Sequence, residues 1–215
     1  MSSDVIRILP AIPELAAAIG DQISALVRAT GPVSYDYQFG TGDLLDRIVT
    51  ASWATPSTLF SASSTTLAIE GDVLLGIELG FAGPDFYAFK ANLASLAPTL
   101  IGEGKMTIPE LLGLAQRAEK ASYLNAHVPD NVYYLHAISI LPQHRGRGVG
   151  RSLLEAAMVK AKSAGHQELQ LDVFADNAAV GFYRSMGLDV LVELKSPDLT
   201  RDYGFPAELR MAISL

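Results

Sequence analysis

NVYYLHAISILPQHRGRGVGRSLLEAA, residues 131–157, decides how this chain is read. Residues 132–141 are mainly β-branched, aromatic and aliphatic, and Pro129-Asp130-Asn131 and Pro142 bracket them, which predicts a strand. Val149, Leu153, Ala157 and Ala161 then recur at helical spacing, with Leu154 and Met158 beside them and Gly165 placed to end the helix. Between strand and helix stand Gly146, Gly148 and Gly150, interleaved with Arg145, Arg147, Val149 and Arg151. A helix begins with unpaired N–H groups and the positive end of its dipole, and glycines there let a ligand approach the backbone. The turn therefore predicts an anion site with guanidinium groups around it, suited to a pyrophosphate. On the residues alone, a solvated helix start remains open. A P-loop fails because no Gly-Lys-Ser/Thr follows. A dinucleotide fingerprint fits imperfectly, since Arg151 stands where a third glycine belongs, although Asp172 imitates the ribose-binding acid.

Outward from this centre, DVIRIL predicts a first strand, and Leu15, Ile19, Ile23 and Leu26 mark one face of a helix behind Pro13. Residues 31–65 are rich in Gly, Pro, Ser and Thr, with a short helix expected at GDLLDRIVTASW. Two β-compatible runs around Gly71-Asp72 predict a hairpin. Residues 82–130 predict two helices, one opened by a capping box between Thr107 and Glu110. ELQLDVF returns as a strand, residues 177–186 as a short helix closed by Gly187, and DVLVEL and LRMAISL as the last strands. In LRMAISL the apolar Leu209, Met211 and Ile213 alternate against Arg210, Ala212 and Ser214. The order predicts one α/β domain over residues 1–215, built on a mixed, mostly antiparallel sheet of about seven strands with helices on both faces and an enlarged helical part at 82–130.

Composition narrows the function. A net charge of −7 argues against broad contact with nucleic acid or anionic membrane, so any polyanion must be held locally. The chain has no cysteine, and its four histidines show no ligand spacing, so no metal site is expected. No apolar run approaches the ~18 residues of a membrane span, and residues 1–15 lack the pattern of a secretory leader, which reads as a cytoplasmic protein. Only 18% of residues are charged and 49% are apolar, a balance compatible with a large core or a homodimer.

Taken together, Arg145-Gly146-Arg147-Gly148-Val149-Gly150 and FYRSMGL at 182–188 resemble the GNAT superfamily of acyl-CoA-dependent N-acyltransferases. The first matches its Q/R-x-x-G-x-G/A motif after a strand, and the second its F/L-Y-x-x-x-G-F segment. The close match covers residues 133–193. The resemblance implies acetyl-CoA as cosubstrate, an amine as acceptor, and a strand splayed from its neighbour so that backbone groups bind the pantetheine arm. In this sequence those groups fall at Ile138 and Ile140, with Arg145 to Arg151 on the diphosphate. It also implies that Tyr183 protonates the thiolate of coenzyme A, a chemically sensible pairing of a phenol of pKa about 10 with a thiol of about 8.5. Read by itself, without the glycine turn, Tyr183 is better taken as a core residue beside Phe182 and Met186.

The family commonly carries Asn seven residues before this Tyr; here Asp176 stands there and Asn177 follows. Asn177 is the better candidate for the cofactor arm, because an amide both donates and accepts while a carboxylate repels phosphate. For the base that deprotonates the amine, Glu70, Glu78, His136 and Asp172 are candidates, Asp172 first because the resemblance puts an acid near the acceptor there. Phe86, Tyr87, Phe89 and Tyr123 in the helical part are candidates to cover the acceptor. No residue pattern names that acceptor.

Overall fold

The computed structural model describes residues 5–215. Its strands are β1 (Arg7–Pro10), β2 (Thr65–Glu70), β3 (Val73–Ala82), β4 (Val132–Ile140), β5 (Glu168–Phe174), β6 (Asp189–Leu194) and β7 (Glu208–Ser214), joined in one sheet of order β1-β2-β3-β4-β5-β7-β6. Of these pairings β4 with β5 is parallel and the rest are antiparallel. The expected α/β fold with a mostly antiparallel seven-stranded sheet is the one observed. A doubly wound dinucleotide fold would need a parallel sheet, so that alternative fails on topology. Part of the DVIRIL run, Asp4, lies outside the described residues.

Three helices cover one face over the first half of the chain: α1 (Pro13–Thr30), α2 (Pro32–Phe39) and α3 (Leu44–Trp53). The segment read as two helices holds three, α4 (Gly83–Ala94), α5 (Ala97–Gly102) and α6 (Ile108–Ala121). The reason is local. Pro84, Pro98 and Pro109 each sit in a first helical turn, where the missing N–H costs nothing and the fixed φ suits the helix. α6 has the expected capping box: Thr107 N–H donates to Glu110 Oε2 at 2.7 Å, and Glu110 N–H donates to Thr107 Oγ1 at 3.3 Å. The opposite face carries α7 (Val149–Ser163) and α8 (Ala179–Ser185), and α9 (Pro197–Tyr203) joins β6 to β7.

Two cores follow from the two faces. Ile23, Leu26, Leu45 and Ile48 of the early helices pack on Leu67, Ile77 and Leu79 together with Phe86 and Tyr134. On the other side, Leu154, Ala157 and Ala161 of α7 join Val180 and Tyr183 of α8 over Leu135, Leu169 and Leu171. Val149 and Leu153 sit on Ala68 and Leu75, with Ile138 and Ile140 beside them. No helix among the described residues is long and apolar enough to cross a membrane.

One irregularity sets up the site. In the β3–β4 ladder Leu79 pairs with Ala137 while Gly80 pairs with Leu135, so His136 is an extra residue with no partner. Such a bulge bends its strand and resets which side chains face which way. Beyond it β4 leaves β5: the parallel pairing runs only from Val132, Tyr133 and Tyr134 to Glu168, Leu169 and Gln170, although both strands continue.

Candidate active site

The strand gap opens on backbone. Leu141 N–H donates to Leu75 O of β3 at 2.9 Å, and because N–H and C=O directions alternate along a strand, those of Ile140 and Ile138 point into the gap. Their side chains turn to the α7 face. The Ile140 carbonyl accepts from Arg145 Nε at 3.2 Å.

At the end of the gap lies the glycine turn. Gly146 and Gly148 have φ of 75° and 81°, a left-handed conformation that side chains disfavour. Gly148 precedes α7 without a side-chain cap, and the first helical bond runs from Ser152 N–H to Gly148 O. The N–H groups of residues 146–151 thus find no acceptor among the described residues, and they converge at the positive end of a helix of 15 residues. Around them, Arg147 pairs with Glu70 at 2.6 Å and Arg151 with Glu155 at 3.4 Å, all in solvent-accessible positions where such pairs are readily exchanged.

Tyr183 of α8 reaches the same gap from the α7 side. It is buried, and that burial pushes its phenol well above the ordinary value, which keeps it protonated near neutral pH. Asn177 opens α8, its Oδ1 accepting from Ala179 N–H at 2.9 Å, while Asp176 is exposed. Ile138, Ser139, Ile140, Arg145, Asn177 and Tyr183 all line one cavity of about 700 Å³, a size that suits a small-molecule site. It continues past β4 beneath the helices of the opposite face.

The four carboxylate and imidazole candidates separate cleanly. Glu70 belongs to the glycine turn through Arg147. Glu78 is fully buried, accepts from Tyr133 OH at 2.7 Å and has Lys160 Nζ at 4.0 Å, so it faces α7 and is absent from the cavity wall; burial raises its carboxyl. His136 lines the cavity among Phe60, Phe81, Phe86 and Tyr134. Burial lowers it to about 4, leaving a neutral ring whose buried Nε2 has no partner.

Asp172 also lines the cavity, yet both its oxygens are taken. Arg210 Nε donates to Oδ1, Arg210 Nη2 donates to Oδ2 at 2.8 Å, and Tyr134 OH donates to Oδ2 at 2.8 Å. The same guanidinium donates to the carbonyls of His127 and Ala126 and to Gln170 Oε1. Arg210, which the alternation of LRMAISL set on a polar face, is 3% exposed: it lies buried behind Asp172, which lines the cavity. Of the four aromatic residues in the helical part, Phe86 lines the cavity; Tyr87 bonds His127 Nδ1 at 2.9 Å, Phe89 packs on Phe81, and Tyr123 is exposed.

A profile of the GNAT acetyltransferase family matches residues 109–188, the span that holds β4, the glycine turn, α7, β5 and α8. Over that span the chain resembles the GNAT acetyltransferase family. Its fold is that of solved GNAT structures: an N-acetyltransferase of Staphylococcus aureus Mu50 superposes with a TM-score of 0.69 at 16% identity, covering 96% of this chain and 100% of that one. A GCN5-related N-acetyltransferase of Kribbella flavida gives 0.58 at 20% identity, covering 100% of both. An uncharacterised protein of Mycobacterium leprae is 41% identical over 64 residues, 29% of this chain; the chain spans about a sixth of that relative's length, 17%.

Around the cavity two residues were not anticipated from the sequence. Arg210 stood only as one of the residues alternating against the apolar face of the last strand, and Glu208, which lines the cavity, sat one residue ahead of the run taken as a strand. The usable signal was the pairing of β5 with β7, which sets Asp172 opposite Arg210 and Phe174 opposite Glu208, and that pairing is a tertiary fact.

Proposed function

We propose that this chain is a single-domain N-acetyltransferase that moves an acetyl group directly from acetyl-CoA to a primary amine. The observation that carries the reading is that the unpaired edge of β4, Arg145 and Tyr183 line one cavity, with the open amides of residues 146–151 following Arg145 directly. The amides of Gly146, Arg147, Gly148, Val149, Gly150 and Arg151, with the side chains of Arg145, Arg147 and Arg151, hold the diphosphate. The N–H and C=O of Ile138 and Ile140 hold the pantetheine arm in the place of a strand, Arg145 giving up the Ile140 carbonyl, and Asn177 contacts the arm from the start of α8.

Coenzyme A supplies the acetyl group as a thioester. Held edge-on to β4, its carbonyl carbon is presented to the amine on the helical side of the sheet, where positioning lowers the barrier without new chemistry. The amine nitrogen bonds to the carbonyl carbon as the C–S bond breaks; Tyr183 gives its proton to the departing sulfur, and a water chain to bulk takes the amine proton and returns one to the tyrosinate. Asp172, with both oxygens engaged by Arg210 and Tyr134, is poorly placed to take the amine proton, and we assign it the work of positioning those two residues.

Release of free thiol from acetyl-CoA, followed across a panel of amines, tests this reading. Amine-dependent release supports it. Saturable acetyl-CoA binding without transfer to any amine would make the protein a binding module on the same fold, and binding of NAD with indifference to coenzyme A would overturn the cofactor assignment.

A further inference from the structure

Past the strand gap the cavity continues as a chamber under α2, α4 and α6. Its walls are largely apolar, with Phe39, Leu59, Phe60, Phe86, Leu93 and Leu114 among them. Thr30, Ser34, Gln38 and Asn125 are polar side chains on the helical side, and each amide or hydroxyl of an acceptor set against the apolar stretches instead costs roughly 1–3 kcal/mol. An apolar body meets no such penalty.

The charged groups in the wall are few. Lys90 is exposed, Arg145 sits at the glycine turn, and Asp172 is neutralised by Arg210. That leaves Glu208, the first residue of β7, set opposite Phe174 and half-buried. Its carboxylate has no hydrogen-bond or ion-pair partner among the described residues. Asp172 on β5, Arg210 on β7, Tyr134 on β4 and Tyr35 on α2 are its charged and titratable neighbours. A carboxylate left without a cation in an apolar chamber is a costly feature unless a ligand brings one.

Building on the acetyl-transfer reading, we infer that the chamber receives a primary amine with a compact apolar or aromatic body, its ammonium set against Glu208. Burial first, then the charge of Asp172, with Arg210 opposing, push the Glu208 carboxyl up to about 8. An arriving ammonium reverses that preference and draws the carboxylate into its ionised form.

Calorimetric titration of the full chain, with coenzyme A present, using phenethylamine and its uncharged counterpart phenethyl alcohol, tests the assignment without requiring turnover. The expected result is that Glu208→Gln weakens phenethylamine binding by about tenfold or more and leaves phenethyl alcohol within about twofold, which also shows the variant is folded. Equal effects on both ligands, or no effect on the amine, would overturn it. Acetyl transfer to an aminosugar or a peptide N-terminus with no phenethylamine binding would overturn the chamber assignment and leave the transferase reading standing. Glu208-dependent amine binding without acetyl transfer would do the reverse.

Discussion

Replacing Arg210 by Met removes the cation that organises the inner wall of the cavity. Arg210 is 3% exposed and makes two bonds to Asp172, one each to the carbonyls of Ala126 and His127, and one to Gln170. Met keeps most of the volume, so cavity formation is a small term. What remains is a buried carboxylate held by Tyr134 alone, and two carbonyls without their donor. Breaking a buried pair from one side costs about 3–5 kcal/mol. Urea denaturation should register that loss as a lower midpoint with unchanged slope, and for a chain of this size the melting temperature should fall by roughly 10 °C. Asp172→Asn combined with Arg210→Met should recover about 2 kcal/mol of the loss, because it removes the stranded charge. A single-variant loss below about 1 kcal/mol, or strict additivity of the two changes, would refute the view that this ion pair anchors the segment before β4 to the sheet.

Three other expectations follow from the same geometry. Tyr183→Phe should lower turnover by about tenfold or more while acetyl-CoA affinity holds, since the ring still fills its place in the core; steady-state kinetics beside calorimetry separates the two. Gly148→Ala, at φ 81° with open space around the added methyl, should destabilise the chain by about 1–2 kcal/mol from backbone strain and weaken acetyl-CoA binding by re-aiming the amides, both measurable by thermal melts with and without cofactor. Glu208 links stability to pH: with its carboxyl raised from 4.5 to about 8 by burial, by Asp172 and against Arg210, the protonated form is favoured in the fold, so that stability is full below about 4.5 and is lost as pH rises through about 8. Glu208→Gln should remove on the order of 2–4 kcal/mol of that decline, read as a difference between the two melting-temperature profiles in which the buried Glu78 cancels.

The sheet was legible because its strands are bounded by turn residues and its helices by regular apolar spacing. NVYYLHAISIL and the face of Val149, Leu153 and Ala157 give β4 and α7 with little ambiguity, and the Thr107–Glu110 box marks the start of α6. The helix count fell short elsewhere. Pro32, Pro84, Pro98 and Pro197 each stand in the first turn of a helix, a role the apolar spacing did not signal, so α2 and α9 went unread and three helices looked like two. At the site, the glycine turn and Tyr183 carry local patterns and were named from them. The bulge at His136 was invisible, because it exists only as a mismatch between two strands. Asp172 drew attention as a free acid for the same kind of reason: its partner Arg210 is 38 residues away, and pairing across the sheet decides whether a carboxylate is free.

Acetyl-CoA binding followed by backbone amide hydrogen exchange tests the central claim most directly, since that claim concerns amides and not side chains. Adding acetyl-CoA should slow exchange at residues 146–151 and at Ile138 and Ile140, which have no acceptor from a neighbouring strand or turn, while β6 is unaffected. Binding that leaves those amides exchanging as before, or protects a different part of the chain, would contradict the account.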